Sequence, residues 1–396
     1  MRSLLRTFLL AVVCRAADLE LKTVDPVRAG MDRQLLARIP VRMKAFVDEG
    51  KAAGIVTLVA RRGYFAAFGA VGYQDLESKT PMRTDSIFRI MSMTKPVTSV
   101  ASMILMEEGR IALSDPVEKY LPEFHAQQVK GGAKPAHPIT IFELLTHTSG
   151  ISGPPPGDVA AKTLAEHVAS LARAPLDFGP GTQWRYRTEG IDTLGRIIEV
   201  VSGMPFERFV AERLFSPLGM IDSSFFPPAA KASRIATVYT EEKGTLTLAK
   251  SRDTLYPSPG AGMLSTAADM ARFYQMMLNK GAWNGRRILS PASVEAMTTV
   301  QSGEFNVGFA PGMGFGLGWG VIKEEKGTFR LCSIGSFGHG GAYRTYGWVD
   351  PAKDMIRIIM LQRTNGGGDT ADEINAFLAM AGAANAVPRT ASRSRL

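Results

Sequence analysis

The run Ile87-Phe88-Arg89-Ile90-Met91-Ser92-Met93-Thr94-Lys95-Pro96 opens a segment that stays apolar as far as Glu108. Val97, Val100, Met103, Ile104, Leu105 and Met106 fall on nearly every face of a helix, Pro96 sits in its first turn and Gly109 stops it. The spacing predicts a helix over 94–108 that is buried on most sides. On its N-terminal side, residues 31–50 carry Leu35, Leu36, Ile39, Met43, Phe46 and Val47 at helical spacing, a surface helix. Between the two helices, 54–60 and 64–71 are β-rich runs around Arg61-Arg62-Gly63, which reads as a tight hairpin.

Beyond the buried helix, residues 113–226 change to short helical pieces broken by Pro and Gly, at 140–146, 164–172, 191–201 and 206–215. Strand-like runs return at 315–321, 328–333, 342–349 and 355–361, the last two joined by Asp350-Pro351, and a final helix covers 371–381. Strands near both ends with helices between them predict an α/β protein of the α+β type. One antiparallel sheet flanked by helices is expected from 18–112 and 227–386, with 113–226 as an inserted, mainly helical domain.

Composition narrows the class. The chain has 396 residues, 21% charged and 45% hydrophobic, which excludes disordered or collagenous material and suits two lobes. Of the net +9, +3 falls in residues 1–17 and +3 in 387–396, leaving +3 between them. That is too little to demand a polyanion, and no aromatic-basic motif supports a nucleic-acid partner. The order basic, apolar, small in 1–17 resembles a signal peptide, which implies export to the periplasm or medium if it is cleaved. A frayed amphipathic terminus, and with it a cytoplasmic protein, is the alternative. Residues 387–396 read as a disordered tail. No stretch is long and apolar enough for a membrane span, and nothing sets an oligomeric state. Two cysteines, Cys14 and Cys332, and five histidines without ligand spacing leave no metal or cofactor site to be expected.

No H-E-x-x-H, Walker A loop, strand-linked G-x-G-x-x-G or G-x-S-x-G occurs in the chain, which removes zincins, P-loop enzymes, Rossmann dehydrogenases and α/β-hydrolases. Ser92-Met93-Thr94-Lys95 is the motif left standing. One helical turn places Lys95 on the face of Ser92. At a helix start the backbone N–H groups favour an oxyanion, while burial lowers the lysine pKa toward that of a usable base. The competing reading has Ser92 capping the helix and Lys95 in solvent. Tyr186, in a loop after Gly179-Pro180-Gly181, is either a proton relay beside a lysine or a packed aromatic. Gly338-His339-Gly340-Gly341-Ala342 is read as the start of a late strand. There the Ala342 N–H joins that of Ser92 as an oxyanion donor; alternatively the segment is a plain glycine-rich strand entry.

The order Ser-x-x-Lys, Tyr loop, His-Gly-Gly resembles the serine β-lactamase-like superfamily, most closely the family VIII carboxylesterases. The segments 87–96, Leu144-Leu145-Thr146-His147-Thr148-Ser149-Gly150 and 337–349 also look like that family, so the likeness spans about 23–381. It implies a β-lactamase/transpeptidase-like fold, Ser92 as the acylated nucleophile, and Lys95 and Tyr186 sharing the base and acid work. His339, Gly340 and Gly341 would face the substrate. Class C β-lactamases and penicillin-binding proteins carry Tyr-x-Asn or Ser-x-Asn and Lys-Thr-Gly or Lys-Ser-Gly. This chain has Tyr186-Arg187-Thr188 and His339-Gly340-Gly341 in those places. Losing an amide and a fixed cation favours an uncharged ester over a carboxylate-bearing substrate. The expected activity is therefore a serine carboxylesterase acting on a small-molecule ester. The alternatives are a β-lactamase, D-amino-acid peptidase or acyltransferase with the same site, and a catalytically silent binding protein.

Overall fold

A computed structural model describes residues 21–158, 160–251, 253–307, 309–365 and 370–385. The expected leader (1–17) and tail (387–396) lie outside these residues. Strand β1 (Gly54–Arg61) is buried along its whole length. Its Ile55 and Val59 join the apolar cluster on one face of the sheet, and its Val56, Leu58 and Ala60 join the cluster on the other. Because side chains alternate between faces, a strand apolar at successive positions must be covered on both sides. It returns as β2 (Tyr64–Asp75) through Arg62 and Gly63, at φ of 54° and 75°, the left-handed pair that a two-residue hairpin turn needs.

The sheet continues with β3 (Thr80–Pro81) on one side and, on the other, with strands from late in the chain: β4 (Met313–Phe315), β5 (Gly320–Ile322), β6 (Phe337–Gly340), β7 (Tyr346–Asp350) and β8 (Met355–Met360). The order is β4-β5-β6-β7-β8-β1-β2-β3, antiparallel throughout. The closing pair sets Val56 of β1 opposite Met360 of β8. One face is covered by α1 (Arg33–Asp48), through Leu36, Ile39, Met43 and Phe46, and by α9 (Asp372–Ala383). The other carries the larger core, which includes α2 (Thr94–Glu107), buried at every residue from Thr94 to Leu105. Between Leu113 and Phe226 lie α3 (Ile141–Thr146), α4 (Leu164–Ala172), α5 (Thr188–Ser202) and α6 (Phe206–Val210). Among the described residues this stretch gives no strand to the large sheet.

Several expected elements differ. Residues 328–333 form no strand: Phe329 and Cys332 point into the core from local turns, with Phe329 N–H on Lys326 O and Cys332 N–H on Phe329 O. Burial at i and i+3 is the spacing of a turn, not the every-other-residue spacing of a strand. The run 315–321 splits into β4 and β5 around Gly316 and Gly318, the latter at φ 79°. The expected strand at 342 begins only at Tyr346, because Gly341 N–H bonds to Thr345 O at 2.7 Å and closes a turn there. The His-Gly-Gly segment thus ends β6 instead of starting a strand. Two helices were not foreseen, α7 (Ala267–Leu278), which lies on β1 and β8, and α8 (Pro291–Thr298).

Candidate active site

Ser92 stands in a single 3₁₀ turn, Met91–Met93, directly ahead of α2. Met91 has φ 49°, a left-handed value that costs a non-glycine residue roughly 1 kcal/mol or more unless its surroundings impose it. They do. Thr94 Oγ1 donates to Met91 O at 2.6 Å and accepts from Met263 N at 3.2 Å. Ile90 N donates to Met263 O at 3.1 Å, and Thr345 Oγ1 donates to Ile90 O at 2.9 Å. The serine turn is braced by the 263 segment on one side and the turn after β6 on the other. No capping bond from Ser92 is present.

Lys95 is fully buried. Its Nζ donates to Ser92 Oγ at 3.1 Å, Thr188 Oγ1 at 3.2 Å and Gly260 O at 2.8 Å, one acceptor for each ammonium hydrogen. Burial pulls its pKa from an ordinary 10.5 to about 8, against the opposing pull of Asp192 and Glu189. The solvent-facing alternative for this lysine is therefore not adopted.

Tyr186 is half-buried in the loop before α5, with Lys95 Nζ 4.8 Å from its ring centroid. Its ring centroid lies 4.6 Å from those of both His147 and Phe309 and 5.9 Å from that of His339. His339 is buried, and its Nδ1 lies 2.7 Å from Gly340 O, so Nδ1 carries the hydrogen and Nε2 is an acceptor. Burial, with Lys95 adding, pushes its pKa down to about 3. His147, the left-handed C-cap of α3, is held neutral for the same reasons: burial first, then Lys95 and His339. Gly341 presses on the serine turn, since a methyl there would sit 2.3 Å from Ile90 O and 2.2 Å from Thr345 Oγ1. Ala342, next in the turn, is exposed.

The structure thus gathers Ser92, Lys95, Tyr186 and His339 around one point, with Gly340 and Gly341 closing the turn beside it. Sequence reading missed three neighbours: the Thr188 hydroxyl, the Gly260 carbonyl and Asp192. Asp192 Oδ1 accepts from Gly260 N at 2.8 Å and Ser258 Oγ at 3.1 Å, and Oδ2 lies 3.2 Å from His167 Nε2. A carboxylate one turn after Thr188, among Ile191, Leu194 and Ile198, was the available signal.

A serine bonded to a buried lysine, with a tyrosine ring over that lysine, beside an antiparallel sheet packed on a helical layer, defines a serine hydrolase of the β-lactamase/transpeptidase-like fold. The chain belongs to the Beta-lactamase family, whose model matches residues 41–381, within the serine β-lactamase-like superfamily. It is 34% identical to Protein Rv1367c of Mycobacterium tuberculosis H37Rv over 353 residues, 80% of this chain and 87% of that one. It is 30% identical to Esterase EstB of Burkholderia gladioli over 377 residues, 85% and 93% of the two chains. Among solved structures it is similar to EstCE1, a hydrolase with promiscuous acyltransferase activity, at TM-score 0.76 and 25% identity, covering 89% of this chain and 99% of that one. No helix among the described residues is long and apolar enough to cross a membrane.

Proposed function

We propose that this serine hydrolase is a carboxylesterase for uncharged, short-chain esters. The observation that carries the reading is the buried, neutral His339, held as an acceptor by its bond to Gly340 O, where a carboxylate-binding enzyme of the superfamily has a cation. A substrate carboxylate placed there would lose its hydration without gaining a charge partner. An ester has no such demand. A cavity of about 280 Å³ beside the serine turn, with Met91, Phe225, Ile235 and Met263 in its walls, gives room for an apolar arm.

In this reading Ser92 Oγ bonds to the ester carbonyl carbon as its proton passes to the Lys95–Tyr186 pair, whose titrations are coupled. The Ser92 and Ala342 amides hold the oxyanion. Tyr186 returns the proton to the departing alkoxide as the C–O bond breaks, leaving an acyl-serine and free alcohol. Water then attacks the acyl carbon, giving its proton to the same pair, and Ser92 leaves reprotonated with the acid released.

Two measurements test this. On a panel of p-nitrophenyl butyrate, nitrocefin and a D-amino-acid amide, the butyrate should be turned over at least about 100-fold faster than the others. Nitrocefin hydrolysed at the butyrate rate would replace the esterase reading with a β-lactamase one. The second is pH dependence. The neutral Lys95 amine becomes more abundant as pH rises through about 8. The kcat/KM for butyrate should therefore climb about tenfold per pH unit below that value and level off above it. A flat profile from pH 6 to 9 would remove Lys95 as the titrating base.

A further inference from the structure

Behind Ser92, Lys95 and Tyr186 lies a buried carboxylate to which the steps above give no work. Asp192 is only 3% exposed on the inner face of α5. An uncompensated charge at such a place costs several kcal/mol, so its partners define it. Two of them belong to the segment 258–260: the Gly260 N–H at 2.8 Å and the Ser258 hydroxyl at 3.1 Å. The same Gly260 presents its carbonyl to Lys95 Nζ at 2.8 Å. One residue therefore touches the carboxylate through its N–H and the lysine through its C=O.

That segment has no slack against α5. A methyl on Gly260 would lie 2.4 Å from Thr188 Cγ2 and 3.2 Å from Asp192 Oδ1, and one on Gly195 would lie 2.1 Å from Pro259 Cγ. The helix that carries Asp192 also carries Thr188, the remaining acceptor of Lys95. Two of the three lysine acceptors thus depend on how 258–260 sits on α5.

We propose that Asp192 is a positioning residue for Lys95: its carboxylate ties residues 258–260 to α5, so that the Gly260 carbonyl and Thr188 hydroxyl orient the amine toward Ser92. It also supplies a fixed negative charge behind that amine. The charged and titratable groups around it are Lys95 on α2, His167 on α4, Glu189 on its own helix and the Tyr256 phenol, which stacks on His167 with centroids 5.0 Å apart. Of these, Asp192 and Glu189 act against burial to keep Lys95 basic. The inference rests on the reading of Ser92 and Lys95 given above.

Asp192→Asn and Asp192→Ala separate charge from anchoring. Asn keeps the acceptor oxygen and drops the charge. KM for p-nitrophenyl butyrate should stay within about twofold while the acid limb of kcat/KM moves to lower pH by about half a unit or more. Ala removes the anchor, and kcat should fall about 100-fold, the scale of a displaced catalytic group, with little change in KM. Labelling of Ser92 by a fluorophosphonate is followed in parallel, and circular dichroism checks the fold. An unmoved limb in the Asn variant, with kcat of the Ala variant within about threefold of wild type, overturns the role of Asp192 alone. Should the Ala variant not fold, the Asn limb decides. Wild-type protein left unlabelled at Ser92 overturns the underlying reading of the site instead.

Discussion

Ser92→Ala should lower kcat/KM for p-nitrophenyl butyrate by about 10⁴-fold or more, the scale on which removing a nucleophile acts in a cooperating catalytic set. The same change should abolish labelling by a fluorophosphonate. The fold should survive, because Ser92 contributes a half-buried hydroxyl whose one recorded bond is to Lys95 Nζ, and that amine keeps Thr188 Oγ1 and Gly260 O. The melting temperature should therefore move by no more than a few degrees. Intact-mass and peptide analysis of the labelled wild type supplies the check. A probe adduct on any other residue, or full hydrolysis by the variant, would sink the assignment of Ser92.

Gly341→Ala should be the second most damaging change, although Gly341 contributes no side chain to chemistry. Its added methyl meets the Ile90 carbonyl at 2.3 Å and Thr345 Oγ1 at 2.2 Å. Ile90 is backbone next to the strained Met91, and Thr345 is the side chain that bonds Ile90 O at 2.9 Å. Neither can swing away without moving the turn that carries Ser92 or the one that carries Ala342. Overpacking of this kind costs about 1–3 kcal/mol, and a shift of the serine against its oxyanion donors should cost about 100-fold in kcat/KM. Gly69→Ala is the comparison, since a methyl there meets nothing within 4 Å and should leave activity unchanged. Activity equal to wild type in Gly341→Ala would show that the serine turn and the turn after β6 are not rigidly joined. A thermal melt on both variants separates lost stability from lost geometry.

Much of this was legible from local pattern, where local pattern decides structure. The α2 helix announced itself by apolar residues on all sides, and the hairpin of 54–60 and 64–71 by Arg61-Arg62-Gly63, where the backbone turns through positive φ. One helical turn puts Lys95 on the face of Ser92, but only its burial decides that the amine turns to the serine and not to solvent. What stayed hidden depends on contacts between distant segments. The run 328–333 reads as a strand in sequence, and only the packed core shows its Phe329 and Cys332 buried from turns. Gly260 and Asp192 are far apart in the chain and meet only because 258–260 lies on α5. His147 was visible as part of a familiar string, but its place against Tyr186 comes from a left-handed helix end. Burial depth, which sets the lysine and histidine protonation states, is a property of the assembled core and not of any window of sequence.

The pairing of β1 with β8 has a consequence for how the enzyme comes into being. A ribosome releases β1, β2 and the Ser92 turn early, but the strand that completes the sheet beside β1, and the turn that braces Ile90, are translated late. In the interval the hairpin offers an open edge, a known invitation to wrong partners, and the serine turn lacks the Thr345 brace on Ile90 O. Reactivity at Ser92 should therefore reach its full value only when the Thr345 turn docks on Ile90. The geometry around Ser92 is thus finished by Thr345, a residue 255 positions beyond the Ile90 carbonyl that it holds.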